Sequence, residues 1–299
     1  MTNNKVLKGV ILVGLGATSY GMLATFVKMA YDENFTTAEV TSSQFIYGII
    51  GLLIINAFQK IKSKTPIQKA SKKNITQLMI AGTSTGLTSL FYYLAVKYIP
   101  VSIGIVLLMQ TVWMGVLLEM FLEKKLPSKI KITAVFIVLV GTFLATNLIN
   151  NKVTLDWRGI VWGLLAAASF TTTMFTANRV ATEISSAQRS LYMLLGGAVI
   201  VFTFGIVTQT TIFNMDIFLK WGIILALFGT IIPPMLLNAG FPLTGIGLGS
   251  IVAALELPVS VLMAYFLLNE KVVLIQWIGI ILIISAVVIM NLNINSNKE

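Results

Sequence analysis

A helix needs about twenty consecutive apolar residues to cross roughly 30 Å of hydrocarbon. Stretches of that length recur ten times along this chain. They run approximately Gly9–Ala30, Glu39–Phe58, Ile75–Ala95, Val101–Leu122, Ile132–Ile149, Gly159–Asn178, Ser190–Thr208, Trp221–Ala239, Ile246–Leu267 and Val273–Leu292, with short polar breaks between them. A membrane barrel would instead alternate apolar and polar residues in short segments, so the expected fold is all-α and integral to a membrane, with ten transmembrane helices. The first stretch is too long for the apolar region of a cleaved leader, and Ala30-Tyr-Asp-Glu-Asn34 after it offers no small-residue cleavage site. Composition agrees: 57% of the 299 residues are hydrophobic, 11% are charged and the mean hydropathy is +0.89. A soluble core of this size could not hide so much apolar surface.

The sequence contains no Cys and no His. Disulfides, the usual soft metal ligands and every His- or Cys-based catalytic arrangement are therefore excluded. No cofactor or metal is expected, and no Gly-Lys-Ser/Thr phosphate loop is present, so ATP does not drive the protein. The net charge of +10 is explained by where the basic residues fall. With the N-terminus inside, 15 of the 21 Lys and Arg collect on the inner side, six of them between Lys60 and Lys73, and 6 lie on or near the outside. That asymmetry across short loops places both termini in the cytoplasm. The Lys60–Lys73 run reads as a topogenic loop, and nucleic acid is not an expected partner.

Two stretches in different halves look alike. Tyr93-Leu-Ala-Val-Lys-Tyr-Ile-Pro100 leads into a span ending Phe121-Leu-Glu-Lys124, and Asn238-Ala-Gly-Phe-Pro242 leads into one ending Leu267-Leu-Asn-Glu-Lys271. Matching Glu123 to Glu270 sets the fourth span on the ninth. At the starts of the halves Ser19 matches Ser169, Tyr20 matches Phe170, and Lys28 lies opposite Arg179. Each unit, 1–150 and 151–299, then holds five spans. Because five is odd, the second enters the membrane from the opposite side, giving two inverted repeats.

In these features the sequence resembles the EamA-type members of the drug/metabolite transporter superfamily. The resemblance rests on Leu94-Ala-Val-Lys-Tyr98 and Phe121-Leu-Glu-Lys124 in one half. In the other it rests on Phe228-Gly-Thr230, Leu255-Glu-Leu-Pro258 and Leu268-Asn-Glu270. It covers essentially the whole chain as two EamA-like five-helix repeats. It implies a permease of the cytoplasmic (inner) membrane that moves small metabolites by alternating access, with helices one to four and six to nine around a central cavity and helices five and ten peripheral. Two positions depart from the family pattern: Gln44-Phe45 stands where Arg is common, and Leu257 is inserted between Glu256 and Pro258.

Ionisable and amide groups deep in the spans are the candidates for substrate contact, since each is costly in lipid without a partner or a task. Glu256 lies about ten residues into the ninth span, near the midplane. Pro258 beside it leaves the Ala254 carbonyl without its usual helical donor. Glu256 either lines the pathway or is a structural carboxyl that fixes helix packing. The repeat match places Gln110 at similar depth, as a site residue or an interhelical hydrogen bond, and a convergent amide and carboxyl would suit a zwitterionic or polar neutral solute. Asn238 follows Pro233-Pro234, where a kink or hinge is expected. Gln44, Trp113 and Tyr92 complete the substrate-binding set, with Tyr20, Tyr93 and Phe170 as further aromatics. Lys28 and Arg179 read as interfacial anchors, and Glu119 as an ion-pair partner of the nearby Lys124 and Lys125. The runs Gly82-Thr-Ser-Thr-Gly86, Gly245-Ile-Gly-Leu-Gly249 and Ala166-Ala-Ala-Ser169 read as close helix contacts.

The function expected is a secondary transporter, an exporter of amino acids or related small metabolites, which is proton-coupled if Glu256 takes up and releases a proton. The alternatives are a non-transporting scaffold or lipid-translocating relative and, less favoured, an intramembrane enzyme. Expected partners are a small-molecule substrate and the lipid bilayer, with a homodimer left open.

Overall fold

The computed structural model describes residues 3–62, 68–99, 101–147 and 156–296. Pro100, Lys64, Lys152, Lys298 and the end of the fifth expected span lie outside them. The described residues form ten helical segments and no strand. Helices α1 (Asn3–Asp32), α2 (Thr37–Lys62) and α3 (Lys72–Val96) precede a broken α4, made of Val101–Leu108 and Thr111–Glu123, and α5 (Lys129–Ala145). The second half follows with α6 (Trp157–Arg179), α7 (Ser186–Thr208) and α8 (Phe218–Thr244). A broken α9, Ile246–Ala253 and Glu256–Leu267, leads to α10 (Leu274–Ser296).

Local chemistry sets several of these ends. Ser71, Ser128, Asp156 and Ser185 cap α3, α5, α6 and α7 by accepting backbone N–H groups of the first turn. Thr36 and Glu39 form a reciprocal capping box at the start of α2. Seven of the described helices are long and apolar enough to cross a membrane, and α10 adds the shorter apolar stretch Leu274–Met290. Two expected spans fall outside that group. α3 is diluted by the hydroxyls of Thr83, Ser84 and Thr85, and α5 has only 17 residues.

Packing in one half has its counterpart in the other. α3 lies along α6 and α7, while α8 lies along α1 and α2; α5 and α10 pack mainly on each other at the periphery. Small residues make these approaches possible. A Cβ on Gly82 would run into the Met193 backbone, one on Gly86 into that of Gly197, and one on Gly196 into the Met79 carbonyl. α3 and α7 therefore touch backbone to backbone, as the small-residue runs led us to expect. At the periphery, Gly141 and Gly279 do the same for α5 and α10.

The interruptions of α4 and α9 have different causes. In α9, Pro258 has no N–H to offer Ala254. The structure corrects the expectation of an orphaned carbonyl there, because a 3₁₀ turn brings the Leu257 N–H to Ala254 O at 3.2 Å. In α4 no proline intervenes. Instead the Gln110 side-chain amide donates to Val106 O at 2.9 Å, and the Gln110 backbone N–H turns to Leu107 O at 3.1 Å. Both breaks end on a residue with φ −60° and ψ −17°, Gln110 in α4 and Leu255 in α9. The two helices also close in left-handed conformation, at Lys124 (φ 52°) and Asn269 (φ 54°). These landmarks place Thr111 on Glu256, where the acidic motif places Met109, and leave Gln110 one residue away. The acidic motif misled by two residues because Glu123 precedes its cap and Glu270 follows its own.

α8 carries π-helical turns at Phe218–Gly222 and Leu227–Ile231. The second ends just before Pro233-Pro234, whose missing N–H groups would leave a regular helix two bonds short, so the irregularity at the paired prolines takes the form of a π-helical turn.

Candidate functional site

A cavity partly open to solvent lies between α1, α3, α6, α7 and α8. Its polar contributors are Thr85, Thr173, Ser190 and Asn238, its aromatic ones Tyr20, Phe170 and Phe241, and the remainder is aliphatic or methionine. No Lys, Arg, Asp or Glu lines it. Tyr20 of α1 and Phe170 of α6, paired by the sequence repeat, meet edge to face across it, with ring centroids 6.3 Å apart.

Asn238 is the expected site residue that the structure places in this cavity. It is 3% exposed. Its Nδ2 donates to Ser190 Oγ at 2.9 Å, and its backbone carbonyl accepts from Arg189 Nη1 at 2.6 Å. Its side-chain Oδ1 is buried with no partner. A buried acceptor left open is costly.

Glu256 opens the second half of α9, where it stands at the positive end of a helical segment. It is half-buried and forms no hydrogen bond or ion pair among the described residues. The hydroxyls of Tyr20 and Tyr92 are within electrostatic range of its carboxylate. The repeat explains why it stands alone. Thr111, its counterpart in α4, shares a 2.8 Å hydrogen bond with Thr171 of α6. On α1, Gly21 is in the position that Thr171 holds on α6, and it packs against the Glu256 backbone carbonyl without offering a side chain.

The other expected site residues have local tasks. Gln110 accepts from Trp113 Nε1 at 2.8 Å while bonding Val106 O, so amide and indole form one clamp at the α4 break. Gln44 is buried, its side chain pressed against Gly229 and its carbonyl accepting from Thr230 Oγ1 at 3.0 Å. Tyr92 packs edge to face on Tyr93 at 6.2 Å. The structure thus joins Asn238, Tyr20 and Phe170 in one cavity and sets Tyr20 and Tyr92 within electrostatic range of Glu256. It leaves Gln44, Gln110 and Trp113 engaged with their own helices or immediate neighbours.

Sequence reading missed Arg189. Counted among the loop charges, it is 2% exposed and spends its guanidinium on the carbonyls of Thr176, Ala177, Val180 and Asn238. The first three close the C-terminal end of α6. The signal was its place one turn inside the Ser185 cap, past the loop it was assigned to.

The two ends of the assembly differ. The Thr111–Glu123 half of α4 packs closely on the Ile246–Ala253 half of α9, with Ser250 Oγ donating to Val112 O at 3.1 Å and Gly115 against Ser250. Glu119 seals this end. One carboxylate oxygen accepts the Gly247 N–H at 3.1 Å, and the other takes Lys131 as its ion-pair partner, in place of the expected Lys124 and Lys125. Among the described residues the opposite halves, Val101–Leu108 and Glu256–Leu267, have no comparable packing. Ion pairs cross between the halves at both ends: Lys28 with Glu270, and Arg179 with Glu123 at 3.9 Å.

A family model described as the EamA-like transporter family matches this chain twice, over residues 7–147 and 157–292. A solved crystal structure, 14% identical in sequence, superposes with a TM-score of 0.75 over 93% of this chain and 97% of its own. At that identity the likeness concerns the fold alone. No curated protein matches.

Proposed function

Because the chain belongs to the EamA-like transporter family, we propose that it is a secondary transporter of small metabolites, amino acids among them. It works by alternating access between two inverted five-helix repeats that all cross the cytoplasmic membrane, with both termini inside. The observation that carries this reading is the uneven packing of α4 on α9, close between Thr111–Glu123 and Ile246–Ala253 and without a counterpart, among the described residues, between Val101–Leu108 and Glu256–Leu267. With the basic loops inside, the closed end bearing Glu119 and Lys131 faces the cytoplasm. A two-state carrier held in one state has this form. The breaks in α4 and α9 supply the joints about which the half-helices re-pack.

Export is the proposed direction, and Glu256 is the proposed coupling group. A carboxylate at midplane depth with no counter-charge among the described residues can carry a proton or a cationic group through the exchange between states, but cannot cheaply carry its bare charge. Reconstituted wild-type protein and Glu256→Gln test this by counterflow and by uptake driven by a pH gradient. The Gln variant is expected to retain counterflow and lose pH-driven accumulation. Unchanged pH dependence would remove Glu256 as the coupling group. Absence of counterflow for any of a panel of amino acids and amines with wild-type protein would overturn transport itself.

A further inference from the structure

Resting on that reading, we propose that the substrate is held by an ammonium group attached to an aromatic or apolar body. An arylalkylamine without a carboxylate then binds this site more tightly than its parent amino acid. The unsatisfied groups around the cavity are acceptors. Asn238 Oδ1 is buried and open on its wall, and the unpaired Glu256 stands with its backbone carbonyl against Gly21 on α1, the residue next to the cavity's Tyr20. The aromatic rings of Tyr20, Phe170 and Phe241 on the cavity wall add electron-rich surface, which favours a cation.

No group is set to receive a substrate carboxylate by charge. The amide that would have complemented Glu256, Gln110, is consumed by Val106 and Trp113. The cationic side chains of the interior are also taken, Arg189 by four carbonyls and Lys131 by Glu119, and the exposed Lys28 and Arg179 pair with Glu270 and Glu123. The other described Lys and Arg are exposed. A zwitterion would therefore bring an anion into low dielectric beside Glu256 with no cation to meet it, and that mismatch separates the two ligand types. The body of the ligand meets Phe170, Met174, Met193, Leu194, Leu237 and Phe241.

Three solutes sharing one ring, phenethylamine, phenylalanine and 3-phenylpropanoate, test the proposal through thermal stabilisation of the purified wild-type protein. The amine is expected to bind with an apparent Kd lower than that of phenylalanine by about tenfold or more, with the acid weakest. Glu256→Gln is expected to erase most of the amine's advantage. Equal or tighter binding of phenylalanine, tightest binding of the acid, binding of none of the three, or an unaltered order in the Gln variant would each overturn it. The wild-type series does not depend on how the variant folds. Counterflow of phenylalanine without stabilisation by phenethylamine would end the amine assignment and leave the transporter reading standing. Stabilisation by phenethylamine with no counterflow of any solute would do the reverse.

Discussion

Arg189 shows how one side chain can serve as scaffold rather than as site. Its planar guanidinium reaches carbonyls on two helices at once, Thr176, Ala177 and Val180 around the end of α6 and Asn238 on α8. It thereby holds the backbone of Asn238 where the cavity needs it. Replacing it by Met would strand those carbonyls, and a buried unsatisfied group costs about 1–3 kcal/mol. Arg189→Met is expected to lower the melting temperature in detergent far more than loss of an exposed ion pair such as that of Lys220 and Glu33, for which Lys220→Met is the control. Arg189→Lys should recover only part of the loss, since an ammonium cannot span both helices with the fixed fork of a guanidinium. Equal melting temperatures for Arg189→Met and Lys220→Met would contradict the assignment.

Between elements, glycine decides how close two helices come, and two glycines of α7 behave oppositely. Gly196 meets the Met79 carbonyl directly, so a methyl group there pushes α3 and α7 apart, an overpacking that costs about 1–3 kcal/mol. Gly205, further along the same helix, has Ser42 Oγ at 3.5 Å from the position of a Cβ, which is ordinary contact. Alanine at Gly205 should therefore gain up to about 1 kcal/mol from helix propensity. Gly196→Ala is expected to unfold at lower temperature than wild type and Gly205→Ala at equal or higher temperature. The same sign of change in both would show that helix propensity, not interhelical contact, governs these positions.

For the whole molecule, the proposed alternating access makes the closely packed end, where Glu119 ties Gly247 and Lys131, the place that holds one state. Because the chain has no cysteine, single introduced cysteines report accessibility without background. A cysteine at Ser250, which is fully buried against α4, should resist a soluble maleimide. The additional change Glu119→Gln, which weakens the tie to Lys131 and Gly247, should raise the labelling rate there several-fold. A rate unaffected by Glu119→Gln would mean that apolar packing alone closes this end. The orientation of the molecule is tested separately by reporter fusions at Thr65 and after Glu299. Both are expected to give cytoplasmic signals, as the 15-to-6 distribution of basic residues requires.

The membrane-spanning helices were legible in the sequence because lipid offers the backbone no hydrogen bonds, so each crossing must be a long apolar helix and is written as one. The two-fold repetition was legible through Ser19 and Ser169, Tyr20 and Phe170, since equivalent places in two like units demand like side chains. Asn238 could be picked out as a polar residue after paired prolines. Which of its atoms stays open could not, because Ser190 and Arg189 reach it from another helix. Gln110 and Glu256 looked equivalent from motif spacing. Only the tertiary structure separated them, since the amide satisfies itself within α4 while the Glu256 side chain finds no partner among the described residues, its backbone packing on a glycine of α1. Depth along a helix is local and follows from residue counting. Pairing across helices depends on rotation and approach, which are fixed by contacts made between residues far apart in the chain.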